Sequence, residues 1–281
     1  MRRIKEKAFI AAIVALTMVA VAPLFHIIAS VAIKGSKAVI EAGPSFILDT
    51  PAPPGASYTG GIGPALLGSA WLGVLSALLG IPLALFTAVF IVEFRDSKLG
   101  RAARIFTNSL LEVPTVLIGM LVYVVIVVPM GGYSILAGAI ALAIVMLPYT
   151  VSYVERALDG VPRTYREAGF SIGMTRSQVV FRVVMGIARR GVLAGILIGI
   201  AKAIGETAPL LFTVGSARNN YPTSPGDVLE PGDAVPLLIY QFAQSPFDNW
   251  HDLAWGAALV LTLIVLLVFI AMRVVVREVR V

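Results

Sequence analysis

Between Val113 and Val154 the chain runs for 42 residues without a single charged side chain. About 20 apolar residues suffice for one helix to cross the hydrocarbon core of a bilayer, so this stretch is too long for one crossing. A Pro-Met-Gly-Gly sequence at 129–132 interrupts it with residues typical of a tight turn. The stretch therefore predicts two membrane helices, the third and fourth of the chain, joined by a short turn.

The remaining apolar runs predict four more membrane helices. They cover 8–33, Pro64–Val92 with a kink at Pro82, Gly191–Val214, and Leu253–Met272. The first run is longer than the apolar core of a signal peptide and has no convincing cleavage site, so we expect it to remain as a helix. The fold class predicted is an all-α membrane protein with six transmembrane helices. It forms a single membrane domain over 1–281, with the first helix in 1–35 and the rest of the six-helix core in 60–275.

The predicted connections are of three kinds. Residues 34–63 are rich in proline and glycine and are not expected to continue the first helix. Residues 93–104 form a short charged loop. Ser109-x-x-Glu112 has the spacing of a capping box, so we expect it to open the third helix, with Glu112 as a cap.

Lysine and arginine are distributed unequally between the two sides of this arrangement. With the N-terminus inside, 18 of the 22 basic residues lie on the inner side, three lie outside and Lys202 lies within a span. Basic residues accumulate in cytoplasmic loops, which predicts that both termini are cytoplasmic. The net charge of +6 is therefore the usual inward bias of a membrane protein, and it argues against a nucleic-acid partner.

An arginine-rich loop at 154–190 precedes the fifth predicted helix. It carries seven arginines and two possible capping boxes, Thr164-x-x-Glu167 and Thr175-x-x-Gln178, with Gly173 between them. This pattern predicts a short helix of about two turns, a glycine turn, and a second helix that enters the membrane. Capping and charge alone leave two interpretations open: a docking loop for a partner in water, or a connector whose arginines only keep it in the cytoplasm.

The fifth helix carries two charges inside its apolar run. Gly191, Gly195 and Gly199 recur every four residues, a spacing that lets another helix approach closely, and Lys202 and Glu206 continue the same face. Pro209 cannot donate to the carbonyl of residue 205 and so weakens the helix there. Charges at mid-membrane cost about 2.5–3.5 kcal/mol each on insertion scales and usually mark a solute or ion path. The alternative is a pair that merely neutralises itself.

Several kinds of chemistry are missing from the sequence. It has no phosphate-binding loop of the G-x-x-x-x-G-K-[S/T] type and no Gly-Lys dipeptide, so we expect no ATP site of that kind. It has no cysteine and only two histidines, far apart, which makes a metal site improbable. No nucleophile–base pattern is present. We therefore expect a transport subunit without cofactor rather than an enzyme.

Glu167-Ala168-Gly169, followed by Gly173, resembles the EAA loop of the permeases of ATP-binding-cassette (ABC) importers. In that family the short helix of this loop docks in a cleft of the cytoplasmic ATPase. The resemblance implies that Glu167, Ala168, Gly169, Phe170 and Gly173 couple the chain to an ATPase. Two departures occur: Gly169 replaces the second alanine of the pattern, and Val-x-Met-Gly at 183–186 replaces its usual I-x-L-P.

A narrower resemblance points to the phosphate permeases within that family. Three segments carry it: Ala203–Leu211, Gly60–Gly68 and Pro236–Gln241. The resemblance implies the type I permease fold, import of inorganic phosphate, and a prokaryotic inner membrane as the location. The residues it places on the solute path are Lys202, where the family more often has arginine, and Gly205, Glu206, Thr207 and Pro209.

The same resemblance implies four partners besides membrane lipid. They are inorganic phosphate, a second permease of the family, two cytoplasmic ATPase subunits and an extracytoplasmic phosphate-binding protein. The loop at 215–252 would help to receive that binding protein, unless it is a solvated connector with a short surface helix near Leu237–Phe242. Rival functions are the permease of another oxyanion importer, for molybdate, sulfate or phosphonate, and a self-sufficient proton-coupled carrier that uses Glu206.

Overall fold

The computed structural model of the protein describes residues 2–278, and its regular structure there is helical. Two π-turns, Tyr123–Val127 and Val179–Val184, are counted with the helices that contain them. The helices are α1 Arg2–Ala42, α2 Ser45–Leu48, α3 Gly63–Glu93, α4 Lys98–Glu112, α5 Thr115–Met130, α6 Ile135–Asp159, α7 Arg163–Ser171, α8 Arg176–Ile204, α9 Val235–Ala243 and α10 Asp248–Glu278.

Five of the described helices are each long and apolar enough to cross a membrane. They are α1, α3, α6, α8 and α10. A sixth crossing is obtained when α4 and α5 are taken together as one broken span, bent by 104° at the break. The prediction of six spans agrees with this upper count, and the all-α fold class is confirmed.

Helix α6 forms the centre of the fold. In its most apolar window 67% of the residues are buried, against 28% or less in each of the other four long helices. It packs against α3 on one side and α8 on the other. Ser134 caps its N-terminus by accepting a hydrogen bond from the Ala137 N–H at 3.1 Å. The turn before it lies where the sequence predicts it, since α5 ends at Met130 and Gly131 has a φ of 78°.

Helix α1 extends further than predicted. It continues through residues 34–42 and ends before Gly43, which has a φ of 62°, so the prediction that this region is not helical was wrong. A contact with α10 explains the extension. A Cβ at Gly35 would lie 2.7 Å from the main-chain oxygen of Trp255, so only glycine allows the two helices to approach this closely. Before this contact, most of the side chains of α1 that the structure describes are exposed.

Helix α3 matches the prediction, with Pro82 inside it, but the charged loop after it is shorter than expected. Only residues 94–97 separate α3 from α4. Ser97 accepts a hydrogen bond from the Gly100 N–H at 2.9 Å and is the true N-cap of α4. Ser109 and Glu112 lie inside the last turns of that helix, so the capping box predicted for them was wrong.

The segment between α8 and α10 contains a buried helix. Helix α9 covers the region where a surface helix was the alternative, but Leu238 and Phe242 are buried against α3 and α10, and Leu237 is buried against α3 and α6. Val235 N–H donates to the Ser69 hydroxyl of α3 at 2.9 Å. The interpretation as a solvated surface helix is therefore wrong. The last long helix also begins earlier than predicted, at Asp248 rather than Leu253.

Candidate functional site

The helix predicted to carry both membrane charges occupies a different range, and it contains Lys202 but not Glu206. Helix α8 runs from Arg176 to Ile204, not from Gly191 to Val214, and Gly205 is its C-cap. Four non-helical residues, 205–208, separate the end of the helix from Pro209. The chain then folds through a short 3₁₀ turn at Leu210–Phe212 and packs among α3, α6 and α9. The helix therefore ends before Pro209, whereas the sequence predicted only a weakened helix at that position.

The glycine stripe of α8 makes the close contact that its spacing predicts. A Cβ at Gly191 would lie 2.5 Å from Ala157 Cβ, and one at Gly199 would lie 2.0 Å from the Thr150 hydroxyl, both on α6. At Gly195 the nearest atom would be Val154 Cγ2 at 2.9 Å. Real Cβ atoms do not approach so closely, so this contact requires glycine at all three positions.

Lys202 and Glu206 form an ion pair at the end of this stripe. The Lys202 ammonium contacts the Glu206 carboxylate and lies 5.4 Å from the centroid of the Tyr149 ring on α6. The Glu206 side chain is only 9% exposed, whereas 35% of the Lys202 side chain is exposed. The pair therefore presents its positive member to the surface of the single chain and keeps its acid inside. An ammonium in that position can donate hydrogen bonds to an anion.

The other predicted path residues surround this pair without contacting a common centre. Gly205 is exposed and Thr207 is half-buried next to Glu206. The carbonyl of Thr207 accepts from the Leu210 N–H at 3.1 Å, which starts the 3₁₀ turn. Pro209 is buried against α5, where a Cβ at Gly119 would lie 2.6 Å from Pro209 Cα. The structure thus brings the five residues into one bend of the chain, with Pro209 in a packing position.

The arginine-rich loop at 154–190, which we call the coupling loop after the role its resemblance implies, has one of its two predicted capping boxes. Thr175 and Gln178 form a capping box with both hydrogen bonds present, as predicted. Thr164 lies inside α7, whose N-cap position is occupied by Pro162 without a side-chain hydrogen bond, so the box of Thr164 and Glu167 was wrong. The two-turn helix and the glycine turn are confirmed, since α7 ends at Ser171 and Gly173 has a φ of 83°.

Helix α7 presents most of its surface to solvent. Glu167 and Ala168 are exposed and half of the Phe170 side chain is exposed, whereas Gly169 is the buried residue of the helix. A Cβ at Gly169 would lie 2.8 Å from Val179 Cγ2 on α8. Gly169 therefore allows α7 to pack closely on α8. This contact gives a structural reason for glycine at the position where the EAA pattern has its second alanine. The exposed surface of α7 thus combines charged and apolar side chains.

Three residues near these sites were not found from the sequence. Tyr149 faces Lys202 from another helix, and Glu93 binds two arginines of the coupling loop. Asp233 precedes α9 and is 2% exposed. Burial raises the pKa of its carboxyl to about 6, and the Ala234 N–H and the charge of Arg218 oppose that shift. The contacts of Tyr149 and Glu93 join distant parts of the chain, and no spacing within the sequence signals them.

A family model described as binding-protein-dependent transport system inner membrane component matches residues 80–281. Among curated proteins, the chain is 47% identical over 272 residues to the probable phosphate transport system permease protein PstA of Methanocaldococcus jannaschii, covering 97% of this chain and 94% of that protein. It is 39% identical over 222 residues to the phosphate transport system permease protein PstA of Pasteurella multocida, covering 79% and 78%.

Two solved structures show a similar fold. A chain of the inward-facing MetNI methionine ABC transporter matches with a TM-score of 0.64 and 19% identity, over 77% of this chain and 95% of that one. A chain of a bacterial alginate ABC transporter, in complex with its alginate-bound periplasmic protein, matches with a TM-score of 0.67 and 14% identity, over 96% and 94%. The fold is therefore that of permeases of ABC transporters.

Proposed function

The chain belongs to the family of binding-protein-dependent transport system inner membrane components, and we propose that it is the permease subunit of an ATP-driven importer of inorganic phosphate. The observation that carries this proposal is the 47% identity to a phosphate transport permease along 97% of the chain. The protein is a multi-pass protein of the inner membrane and a transport subunit that works with an ATPase and a binding protein. ATP binding and hydrolysis then belong to the partner ATPase, since the sequence has no phosphate-binding loop.

The solute path is proposed to run past Lys202 and Glu206. The Lys202 side chain is partly exposed in the single chain, and we infer that a second permease of the same family covers it, so that the path is shared between the two permeases. Glu206 orients this ammonium and offers an acceptor to a protonated phosphate oxygen. Gly205 and Thr207 line the bend next to the pair, and Pro209 fixes that bend against α5.

Coupling is proposed to pass through α7. One ATPase subunit binds the exposed surface of Glu167, Ala168 and Phe170, while Gly169 and Gly173 hold the helix in place for it. Two ATPase subunits serve the two permeases. On the outer side, residues 215–252 help to receive an extracytoplasmic phosphate-binding protein.

The function is tested by uptake of radiolabelled phosphate into proteoliposomes that contain the complete importer. We expect uptake that requires ATP and the binding protein and that excess molybdate, sulfate or phosphonate does not inhibit. Inhibition by one of those anions alone would assign the chain to another oxyanion importer. Uptake that survives omission of the ATPase would identify a self-sufficient carrier instead.

Both termini and residues 154–190 are proposed to be cytoplasmic, with 215–252 outside. The chain has no cysteine, so single cysteines can report this orientation. Ser171→Cys is preferred to a cysteine at Gly173, because the positive φ of Gly173 disfavours a side chain. In intact cells we expect an impermeant thiol reagent to label the exposed Gly226→Cys but not Ser171→Cys. The reverse pattern would contradict the orientation.

A further inference from the structure

The carboxylate of Glu93 joins three elements on the cytoplasmic side. Glu93 is the last residue of α3, and its side chain is only 10% exposed. One carboxylate oxygen is paired with the Arg166 guanidinium on α7. The other lies 3.4 Å from Arg176 Nε at the start of α8. The end of α3 is thus tied through one side chain both to the coupling helix and to the helix that follows it.

Further contacts hold Arg176 in this arrangement. Its guanidinium also donates to the main-chain carbonyl of Glu93 and lies 4.5 Å from the centroid of the Phe94 ring. A guanidinium has several donors in a rigid plane, so it can engage the carboxylate, the carbonyl and the ring together. The start of α8 is therefore fixed to the end of α3 at several points.

Helix α7 has few other attachments. Its apolar contact is made by Gly169 against Val179 on α8. Beside the end of α3 lies a cavity of about 500 Å³, lined by Glu93, Arg166 and Glu167 among others. Apolar packing does not fill this space, so the Arg166–Glu93 pair provides the connection from α7 to α3.

We propose that Glu93 is a positioning residue that makes the cytoplasmic end of α3 move together with the coupling helix. This inference rests on the proposed function, because α7 must be the helix that the ATPase moves. A displacement of α7 then reaches the membrane helices by two routes: directly into α8, and through Arg166 and Glu93 into α3. Helix α3 packs along the central helix α6, so the second route carries the displacement into the core.

The test uses the complete importer with Glu93→Gln, which keeps the size of the side chain and removes its charge. We expect the ATPase to co-purify and to hydrolyse ATP, while phosphate transported per ATP hydrolysed falls about tenfold, within the usual range for loss of coupling between sites. Arg166→Gln should give a similar loss, and the double variant should be no worse than Glu93→Gln, because that single variant already lacks the Arg166–Glu93 ion pair. A parental ratio in Glu93→Gln would overturn the proposal, and so would dissociation of the ATPase.

A matched control and a direct readout separate positioning from general stability. Arg95→Gln removes the Arg95–Asp159 pair on the same face, which joins the turn after α3 to the end of α6 and leaves α7 untouched. This variant should keep the parental ratio, and an equal loss would overturn the proposal.

Spin labels at the exposed residues Asp96 and Ser171 measure the distance between the end of α3 and α7. The distance should stay constant through the ATP cycle in the parent and vary in Glu93→Gln. A distance that changes in the parent would overturn the proposal. Failure of the parent to import phosphate would instead reject the proposed function.

Discussion

Replacement of Lys202 by alanine is expected to reduce phosphate uptake about 100-fold in the assembled importer. The change removes the ammonium that would donate to the solute, and charge-assisted hydrogen bonds contribute up to about 3 kcal/mol. It also leaves Glu206 buried without its cation, which repels an anion from the path. The measurement is initial uptake of radiolabelled phosphate, with ATP hydrolysis recorded in the same vesicles.

The chain contains a matched control for this substitution. Lys37 and Glu41 have the same spacing as the membrane pair, with 3.9 Å between Lys37 Nζ and Glu41 Oε1, and both side chains are exposed. Lys37→Ala should leave uptake unchanged, because exposed pairs contribute little. Lys202→Arg should retain much of the activity, since a guanidinium keeps the charge. Loss of uptake in Lys202→Ala matched by an equal loss in Lys37→Ala would point to general damage.

Two further variants test whether Glu206 binds phosphate or only neutralises the charge of Lys202. Phosphate at neutral pH still carries a proton that can donate to a carboxylate, whereas sulfate carries none. Sites that hydrogen-bond a substrate group reject analogues that lack it, because the buried partner is left unsatisfied. Glu206→Gln should therefore weaken phosphate uptake and reduce its discrimination against sulfate while ATP hydrolysis persists. The double variant Lys202→Leu with Glu206→Leu should not transport, and robust uptake by it would show that the pair only neutralises itself.

The second large effect is expected at the glycine turn after α7. Gly173 has a φ of 83° and its N–H donates to the carbonyl of Phe170 at 3.0 Å. Proline cannot adopt that φ and has no N–H, so Gly173→Pro should displace the end of the coupling helix. Glu167→Lys reverses a charge on its exposed surface. Both variants should lower ATPase co-purification, or transport-stimulated ATP hydrolysis, at least about tenfold, a change that corresponds to about 1.4 kcal/mol.

Gly131 is the matched control for the proline variant. It also ends a helix, with a φ of 78°, and its N–H also donates to the carbonyl three residues earlier, at 3.1 Å. It lies in the turn between α5 and α6, away from the coupling loop. Gly131→Pro should damage its own turn but leave the ATPase bound. Normal ATPase binding and normal stimulation in both Gly173→Pro and Glu167→Lys would mean that the loop is only a connector.

The order of the apolar spans could be predicted from the sequence because charged side chains are rare inside a bilayer. The ends of helices were less predictable. A Ser/Thr-x-x-Glu spacing identifies a possible cap without showing whether the residues before it are already helical. At Thr175 the preceding Gly173 ends the previous helix, so the box forms; at Ser109 the helix has already started from Ser97.

Contacts between distant residues account for the remaining differences. Helix α1 continues through the polar residues after position 33 because Gly35 packs against the backbone of α10. This tertiary contact outweighs the local helix propensity of the segment. The glycine stripe and Lys202 were visible in advance because they lie on one helix, and Glu206 follows directly after its end. The partners of Glu93 lie 73 and 83 residues away, and no local pattern connects them.

Helix α8 has the geometry of a lever. At about 1.5 Å per residue, its glycine contact at Gly195 lies about 29 Å from Arg176 and about 10 Å from Lys202. Because side chains cannot enter that contact, the helix can tilt there more easily than it can separate from α6. A displacement of about 3 Å at the cytoplasmic end would then move Lys202 by about 1 Å, enough to break a hydrogen bond. With the orientation proposed above, the long arm lies on the side of the ATPase, so a larger movement there becomes a smaller one at the charged pair.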